Sequence, residues 1–229
     1  DMETEFYVIG ADRWTDGKGE KKEKEFYLNA APSDVSGACT LSDKPDTDAS
    51  LSYTYDPADP VPTCGGEVML KSVQHIGSQL QPKPGFRKDV LSFVSDVLAE
   101  PLLIAGNMKA ELFVRSDAED TAFTAKVIEE AANGEAYYIR ASITTFGADA
   151  SGEKDADGVR PVTIDFSNIY YEIPAGSRLR VDISSSDFPQ FSVHSNFAGP
   201  WAKQTAVKCA KQEVFAGEKY PSKLVIETE

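Results

Sequence analysis

Ile173-Pro174-Ala175-Gly176-Ser177-Arg178-Leu179-Arg180-Val181-Asp182-Ile183-Ser184-Ser185-Ser186-Asp187-Phe188-Pro189-Gln190-Phe191 is the stretch whose reading decides the fold. It opens as a tight turn: Pro174 presets φ and Gly176 supplies the freedom that the turn needs. An alternating strand follows. Leu179, Val181 and Ile183 point to one face, and Arg178, Arg180 and Asp182 point to the other. The strand then runs into small hydroxyl residues closed by Asp-Phe-Pro. One apolar face and one charged face at period two mark a half-buried strand of a layered β protein.

The same texture runs along the rest of the chain. Short alternating segments are separated by clusters of Gly, Pro, Asp and Ser, which is an all-β pattern. Strands are predicted at Glu5–Gly10, Lys24–Asn29, Ala38–Ser42, Leu51–Tyr55, Val90–Val94, Leu102–Gly106, Met108–Ser116 and Thr121–Glu129. More follow at Ala136–Thr145, Pro161–Ile173, Arg178–Ser184, Thr205–Phe215 and Lys223–Glu227. That number suits two packed sheets, a jelly-roll β-sandwich with little helix. Val90–Glu100 has apolar spacing that also fits a helix, but Pro101 ends it and strand is the preferred reading. The chain changes character near residue 85. Residues 1–84 are rich in Lys, Asp, Pro and Gly, and read as N-terminal strands and a loop leading into the sandwich. Residues 88–229 alternate strongly and read as its body, within one structural domain. Charged hairpin tips are expected at Gly17–Glu23 and Ala148–Gly158.

The 229 residues are 41% hydrophobic, enough for a sizeable core without disulfides. The net charge of −14 argues against nucleic acid and anionic membranes, because phosphate binding needs a basic footprint. There is no run of about 18 apolar residues to span a bilayer. The start, Asp1-Met2-Glu3-Thr4-Glu5, lacks a basic and apolar leader, and reads as cut out of something longer. Three cysteines, Cys39, Cys64 and Cys209, make no framework; Cys39 and Cys64 could pair if the chain is exported. With no Cys-x-x-Cys and two isolated histidines, neither a zinc site nor any other cofactor is expected.

The chemistry of a serine hydrolase is absent from the sequence. No Gly-x-Ser-x-Gly occurs to form a nucleophile elbow. The two histidines, His75 and His194, have no recognisable Ser and Asp partners. Ser184-Ser185-Ser186-Asp187 invites a nucleophile reading, but small hydroxyls and Asp in that setting cap turns by bonding to nearby backbone. Glu153-Lys154-Asp155-Ala156-Asp157-Gly158 half-mimics a calcium loop; its first position is Glu and its twelfth is Ile164, where a bidentate Glu is required. No catalytic or metal-ligating residue is therefore assigned. Trp14, Trp201, Tyr53 and Tyr55 could stack on sugars, which keeps a free-standing carbohydrate-binding module as the alternative function.

Six ordered stretches carry a resemblance. They are Phe6–Trp14, Glu25–Leu28, Tyr55–Gly66, Asp89–Phe93, Ser116–Phe123 and Tyr220–Ile226, and the opening stretch Ile173–Phe191 adds to them. Together they are similar to the C-terminal domain of the X-Pro dipeptidyl-peptidase and cocaine-esterase group of serine hydrolases, a galactose-binding-like jelly roll placed behind an α/β-hydrolase domain. The resemblance implies a non-catalytic accessory domain whose partner is its own N-terminal α/β-hydrolase domain, where the catalytic triad lies. X-Pro dipeptides, small esters or acyl amides are the implied substrates, and a homo-oligomer is possible. Ser186, Asp187, Phe188 and Pro189 are the family signature. After Phe191 the chain departs from the family pattern, with Ser195-Asn196-Phe197-Ala198-Gly199-Pro200-Trp201.

Within that resemblance, Tyr53, Tyr55, Asp56, Pro60, Pro62, Gly65 and Gly66 are expected to form an interface loop walling the active-site cleft. Prolines stiffen it and the two glycines allow close backbone approach. The loop is expected to be incompletely buried in this chain.

Overall fold

The structure is a computed structural model, which describes residues 22–67, 76–147 and 152–228. The strand expected at Glu5–Gly10, most of the tip at Gly17–Glu23 and the start of the tip at Ala148–Gly158 lie outside those residues, as do Trp14 and His75.

Among the described residues, thirteen strands account for nearly all of the regular structure. They are β1 (Lys22–Pro32), β2 (Cys39–Ser42), β3 (Ala49–Tyr55), β4 (Leu91–Ser95), β5 (Leu102–Gly106), β6 (Met108–Ser116), β7 (Ala122–Glu130) and β8 (Ala136–Thr145). The rest are β9 (Arg160–Asp165), β10 (Ile169–Ile173), β11 (Arg178–Ser184), β12 (Ala210–Ala216) and β13 (Lys223–Thr228). A single 3₁₀ turn, Trp201–Lys203, is the only helical element among the described residues. The protein is all-β and built like a sandwich.

The strands join in the order β3-β12-β6-β13-β1-β2-β4-β11-β7-β8, with β9 on the far edge of β6, while β5 and β10 make a separate ribbon. All pairings are antiparallel except β2 with β4. The long sheet folds back on itself, so that both halves share one core. Phe26, Leu28, Leu112, Val114, Leu224 and Ile226 from the first half meet Phe93, Phe123, Val127, Leu179, Val181 and Ile183 from the second. Each such side chain contributes about 1.5–3 kcal/mol on burial.

β6 has two partners on one edge. β13 lies opposite Met108–Glu111, and β12 opposite Phe113–Ser116. The join would leave an orphaned backbone donor, which buried structures rarely tolerate. Ser222 closes it: the Phe113 N–H donates to Ser222 Oγ at 2.9 Å, while Ser222 O accepts from the Leu28 N–H at 2.9 Å. Ser222 is completely buried.

Two predicted strands are corrected. Pro161–Ile173 is not one strand but two, β9 and β10, which pair with different partners, β6 and β5. Asp165-Phe166-Ser167-Asn168 breaks the run: Asp165 Oδ1 accepts from the Ser167 N–H at 2.8 Å, Ser167 takes φ 62°, and Phe166 drops into the core. Thr205–Phe215 begins only at Ala210, because Asn196 and Ser195 take the Lys208 backbone groups away from any ladder. At Val90–Glu100 the strand reading holds, over Leu91–Ser95.

Candidate functional site

The strands β11 and β7 are buried on both faces. One face meets the core. The other is roofed by two loops, residues 56–67 and 76–90, and this roof is the candidate site.

The signature after β11 holds the first loop. Phe188 N–H donates to Val61 O at 2.8 Å and Thr63 N–H donates to Phe188 O at 2.7 Å, a short parallel bridge centred on Pro62 and Phe188. The Val61 N–H donates to Ser186 Oγ at 2.9 Å, and the Gln190 N–H to Thr63 Oγ1 at 3.1 Å. Ser186 is buried, and its oxygen is engaged in holding the loop. The Phe188–Pro189 peptide is cis. Two glycines let the loop close down. Gly65 has φ +79° and a Cβ there would sit 2.5 Å from Gly77 O, while one on Gly66 would run into Gln190 Oε1.

The second loop crosses the sheet beside the first. Gly66 and Gly77 exchange backbone hydrogen bonds, and the Gln81 N–H donates to Ala136 O at 2.8 Å. Cys64 Sγ donates to Leu80 O at 3.0 Å and Gln81 Nε2 to Cys64 O at 2.8 Å. Arg87 grips both sides. Its guanidinium donates twice to Asp89, at 2.7 and 2.9 Å, and to Asp59 O at 2.7 Å.

Beneath the roof the sheet is charged. Arg180 is fully buried, and it donates twice to Asp182 at 2.7 Å and to Pro82 O at 2.8 Å, with Glu130 at 3.3 Å. Lys126 pairs with Asp187 at 3.1 Å. Burial pushes the Asp187 carboxyl above its ordinary value, against the opposing pull of Lys126. Ser184 Oγ donates to Asp89 O at 2.6 Å. A directional lattice of this kind fixes loops in place, since charged hydrogen bonds are both stronger and more orientation-dependent than apolar contacts.

Above it the roof exposes apolar side chains among charged ones. Phe188 is 48% exposed, Leu80 53%, Phe86 39% and Ile76 56%, and Pro62 is exposed beside them. Pro62 and Phe86 line the same small cavity over Lys126 and Asp187.

The expected interface loop divides. Tyr53 and Tyr55 are not open: they are 5% and 0% exposed. They lie on β3 with their rings turned inward, where Tyr53 OH bonds Ser185 Oγ at 2.9 Å and Tyr55 OH donates to His194 O at 2.9 Å. Their burial raises both phenol pKa values. Gly65 and Gly66 are also buried, under the chain's own loops. Asp56 is half-buried and caps its turn, accepting from the Ala58 N–H at 2.9 Å. Pro60 is half-buried, so Pro62 is the member of the set that reaches the surface; of the signature residues Pro189 is half-buried and Phe188 is exposed. Ile76, Leu80 and Phe86 were not singled out from sequence, since they stand in a stretch that reads as a linker.

The other sequence candidates resolve locally. His194 Nδ1 accepts the Asn196 N–H at 3.0 Å, which leaves the proton on Nε2, and Asp120 Oδ2 lies 3.7 Å from that nitrogen. Neither nitrogen is free to act as a general base. Asp155 accepts from the Asp157 and Val159 N–H groups, both at 2.9 Å, and from Tyr220 OH at 2.6 Å; Asp157 pairs with Lys219 at 2.7 Å. The half-formed calcium loop is thus a hydrogen-bonded turn. All three cysteines are free, so Cys39 and Cys64 do not pair. Among the described residues no three His, Cys, Asp or Glu side chains converge as metal ligands, and no helix is long and apolar enough to cross a membrane.

Comparison with known proteins fits this geometry. Residues 11–225 match the family described as the X-Pro dipeptidyl-peptidase C-terminal non-catalytic domain. The chain is 32% identical over 236 residues to cocaine esterase of Rhodococcus sp. (strain MB1 Bresler), covering 96% of this chain and 40% of that enzyme. The fold is similar to that of an aminopeptidase from a marine sediment Thaumarchaeota archaeon, with TM-score 0.73 and 21% identity over 91% of this chain and 37% of that one. It is also similar to an α-amino acid ester hydrolase, with TM-score 0.64 and 22% identity over 90% of this chain and 36% of that one. The chain belongs to the X-Pro dipeptidyl-peptidase C-terminal non-catalytic domain family.

Proposed function

We propose that this domain docks through its loop roof onto the α/β-hydrolase domain of its own protein, and there shapes one wall of the active-site cleft. The whole protein is then a serine hydrolase acting on X-Pro dipeptides, small esters or acyl amides. The observation that carries the reading is the roof itself: Pro62, Leu80, Phe86 and Phe188 expose apolar surface on loops pinned from below by buried ion pairs. Apolar side chains held out on a rigid support mark an interaction surface. The share of the relatives that this chain covers, 36–40%, leaves room for such a partner domain.

Hydrogen exchange compares the 229-residue chain with the full-length protein. Amides of residues 76–88 are expected to gain protection only in the full-length protein. Equal protection in both would remove the docking reading.

A further inference from the structure

The carboxylates of this chain are unevenly spread. None of its 37 acidic residues falls in 68–88 or in 188–212, although the net charge is −14. The first stretch holds Lys83, Arg87 and Lys88, and the second Lys203, Lys208 and Lys211. The same two stretches hold nearly all of the exposed large apolar side chains among the described residues. Ile76, Leu80 and Phe86 stand in the first, and Phe188, Phe197 and Val207 in the second. Val97, next to Asp96, is the exception.

In space the two stretches meet at Gln190. Its backbone N–H donates to Thr63 Oγ1 at 3.1 Å and its Nε2 to Glu67 Oε2 at 3.2 Å, both on the first roof loop. The same residue lines an open cleft with His194 and Gly199. Beyond the cleft, residues 195–208 are pinned as the roof is. Asn196 is fully buried and its Nδ2 donates to Lys208 O at 2.7 Å; the Lys208 N–H donates to Ser195 O at 3.1 Å, and Gln204 Nε2 to Phe197 O at 2.8 Å. Phe197 and Val207 are thus held out in solvent by an ordered loop.

The lysines of this face are uncommitted. Lys83, Lys88, Lys203 and Lys211 are exposed and make no ion pair among the described residues, and the Lys208 ammonium lies 4.8 Å from the centroid of the Phe197 ring. A face that needs only solubility mixes both signs, as the pairs Arg115–Glu213 and Lys219–Asp157 do elsewhere. A face stripped of carboxylates around exposed apolar groups fits a partner whose own carboxylates would be repelled by them. Lysine suits its rim, because the stem covers apolar surface while the ammonium reaches outward.

We propose that the docking face extends from the roof past the cleft to residues 195–211, and that the surface of the hydrolase domain it meets is acidic around an apolar centre. This rests on the docking reading and adds its extent and its charge. An anionic bilayer is another surface of that sign, but the acidic remainder of the chain opposes its approach.

Hydrogen exchange on the full-length protein and on the 229-residue chain tests the extent. Amides of residues 195–209 are expected to gain protection in the full-length protein together with those of 76–88. Protection gained at 76–88 alone would leave docking in place and overturn the extended face; protection gained at neither would remove both. Charge reversal tests the partner. In the full-length protein, Lys83→Glu with Lys208→Glu is expected to lower protection of both segments about tenfold. Lys83→Gln with Lys208→Gln is expected to lower it less, and thermal unfolding of the 229-residue chain is expected to stay unchanged in both double variants. Protection that survives charge reversal intact would overturn the acidic partner. The 229-residue chain is expected not to sediment with phosphatidylserine vesicles; sedimentation that the charge reversal abolishes would assign the face to a membrane and overturn the proposal.

Discussion

The two faces of β11 are equally buried and chemically opposite. Inward, Leu179, Val181 and Ile183 enter the shared core. Outward, Arg180, Asp182 and Ser184 lie under the roof, held by hydrogen bonds that reach Pro82, Glu130 and Asp89. The apolar face rewards burial in any direction, and so brings the two halves of the sheet together. The ionic face rewards only correct geometry, and so determines where two irregular loops come to rest. Stability and placement are divided between the two sides of one strand.

The largest expected effect is on the ionic side. Arg180→Ala leaves Asp182 buried and Glu130 half-buried without their cation and is expected to cost about 3–5 kcal/mol, read from urea unfolding. A double change, Arg180→Met with Asp182→Leu, is expected to regain most of that loss and yet to loosen the roof, seen as faster amide exchange at Gln81. A double variant whose roof stays equally protected would break the proposed division. Next comes the apolar side: Leu179→Ala is expected to cost about 2–4 kcal/mol by the same measurement, with roof exchange unchanged. Ser222→Ala, which strips the plug from the β6 junction, is expected to cost about 1–2 kcal/mol.

A pH dependence sharpens the contrast. Burial raises the folded-state pKa of Asp187, so the native state holds that proton more tightly than the unfolded chain does. From this group, stability is greatest below the ordinary carboxylate value of 3.8 and falls as pH rises from there through the raised native value. Asp187→Asn is expected to remove that fall from a plot of urea midpoint against pH. The smallest effect belongs to the surface: Lys219→Ala breaks an exposed pair with Asp157, and no measurable change in midpoint is expected.

What could be read in advance follows the same division. The inward face repeats every second residue, so Leu179-Arg180-Val181-Asp182-Ile183 revealed its strand directly, as did β6 and β8. The outward face does not advertise its burial, because Arg180 and Asp182 look like solvated residues until a roof is known. Gln79–Gly85 reads as a loop, and the contribution of this region comes from backbone bonds of Gln81 to Ala136 and of Gly77 to Gly66 that no local pattern encodes. Tyr53 and Tyr55 lie on the strand expected at Leu51–Tyr55, but the prolines and glycines after them suggested an open interface, whereas the register of β3 with β12 turns them inward. Val61 and Ser186 were each noticed within a motif, but their bond spans 125 positions and neither motif alone predicts it.

The position of β13 has a consequence for the order in which this protein can be made. That strand lies between β1 and β6, with Lys22 opposite Thr228 and Ile226 opposite Met108. β1 and β6 therefore emerge from the ribosome long before the strand that joins them, and each waits with an open edge able to pair with another chain. Closing so long a loop is slow, which lengthens the wait. Nascent chains of this domain are accordingly expected to need protection until Lys223–Thr228 has been synthesised and has taken its place between β1 and β6.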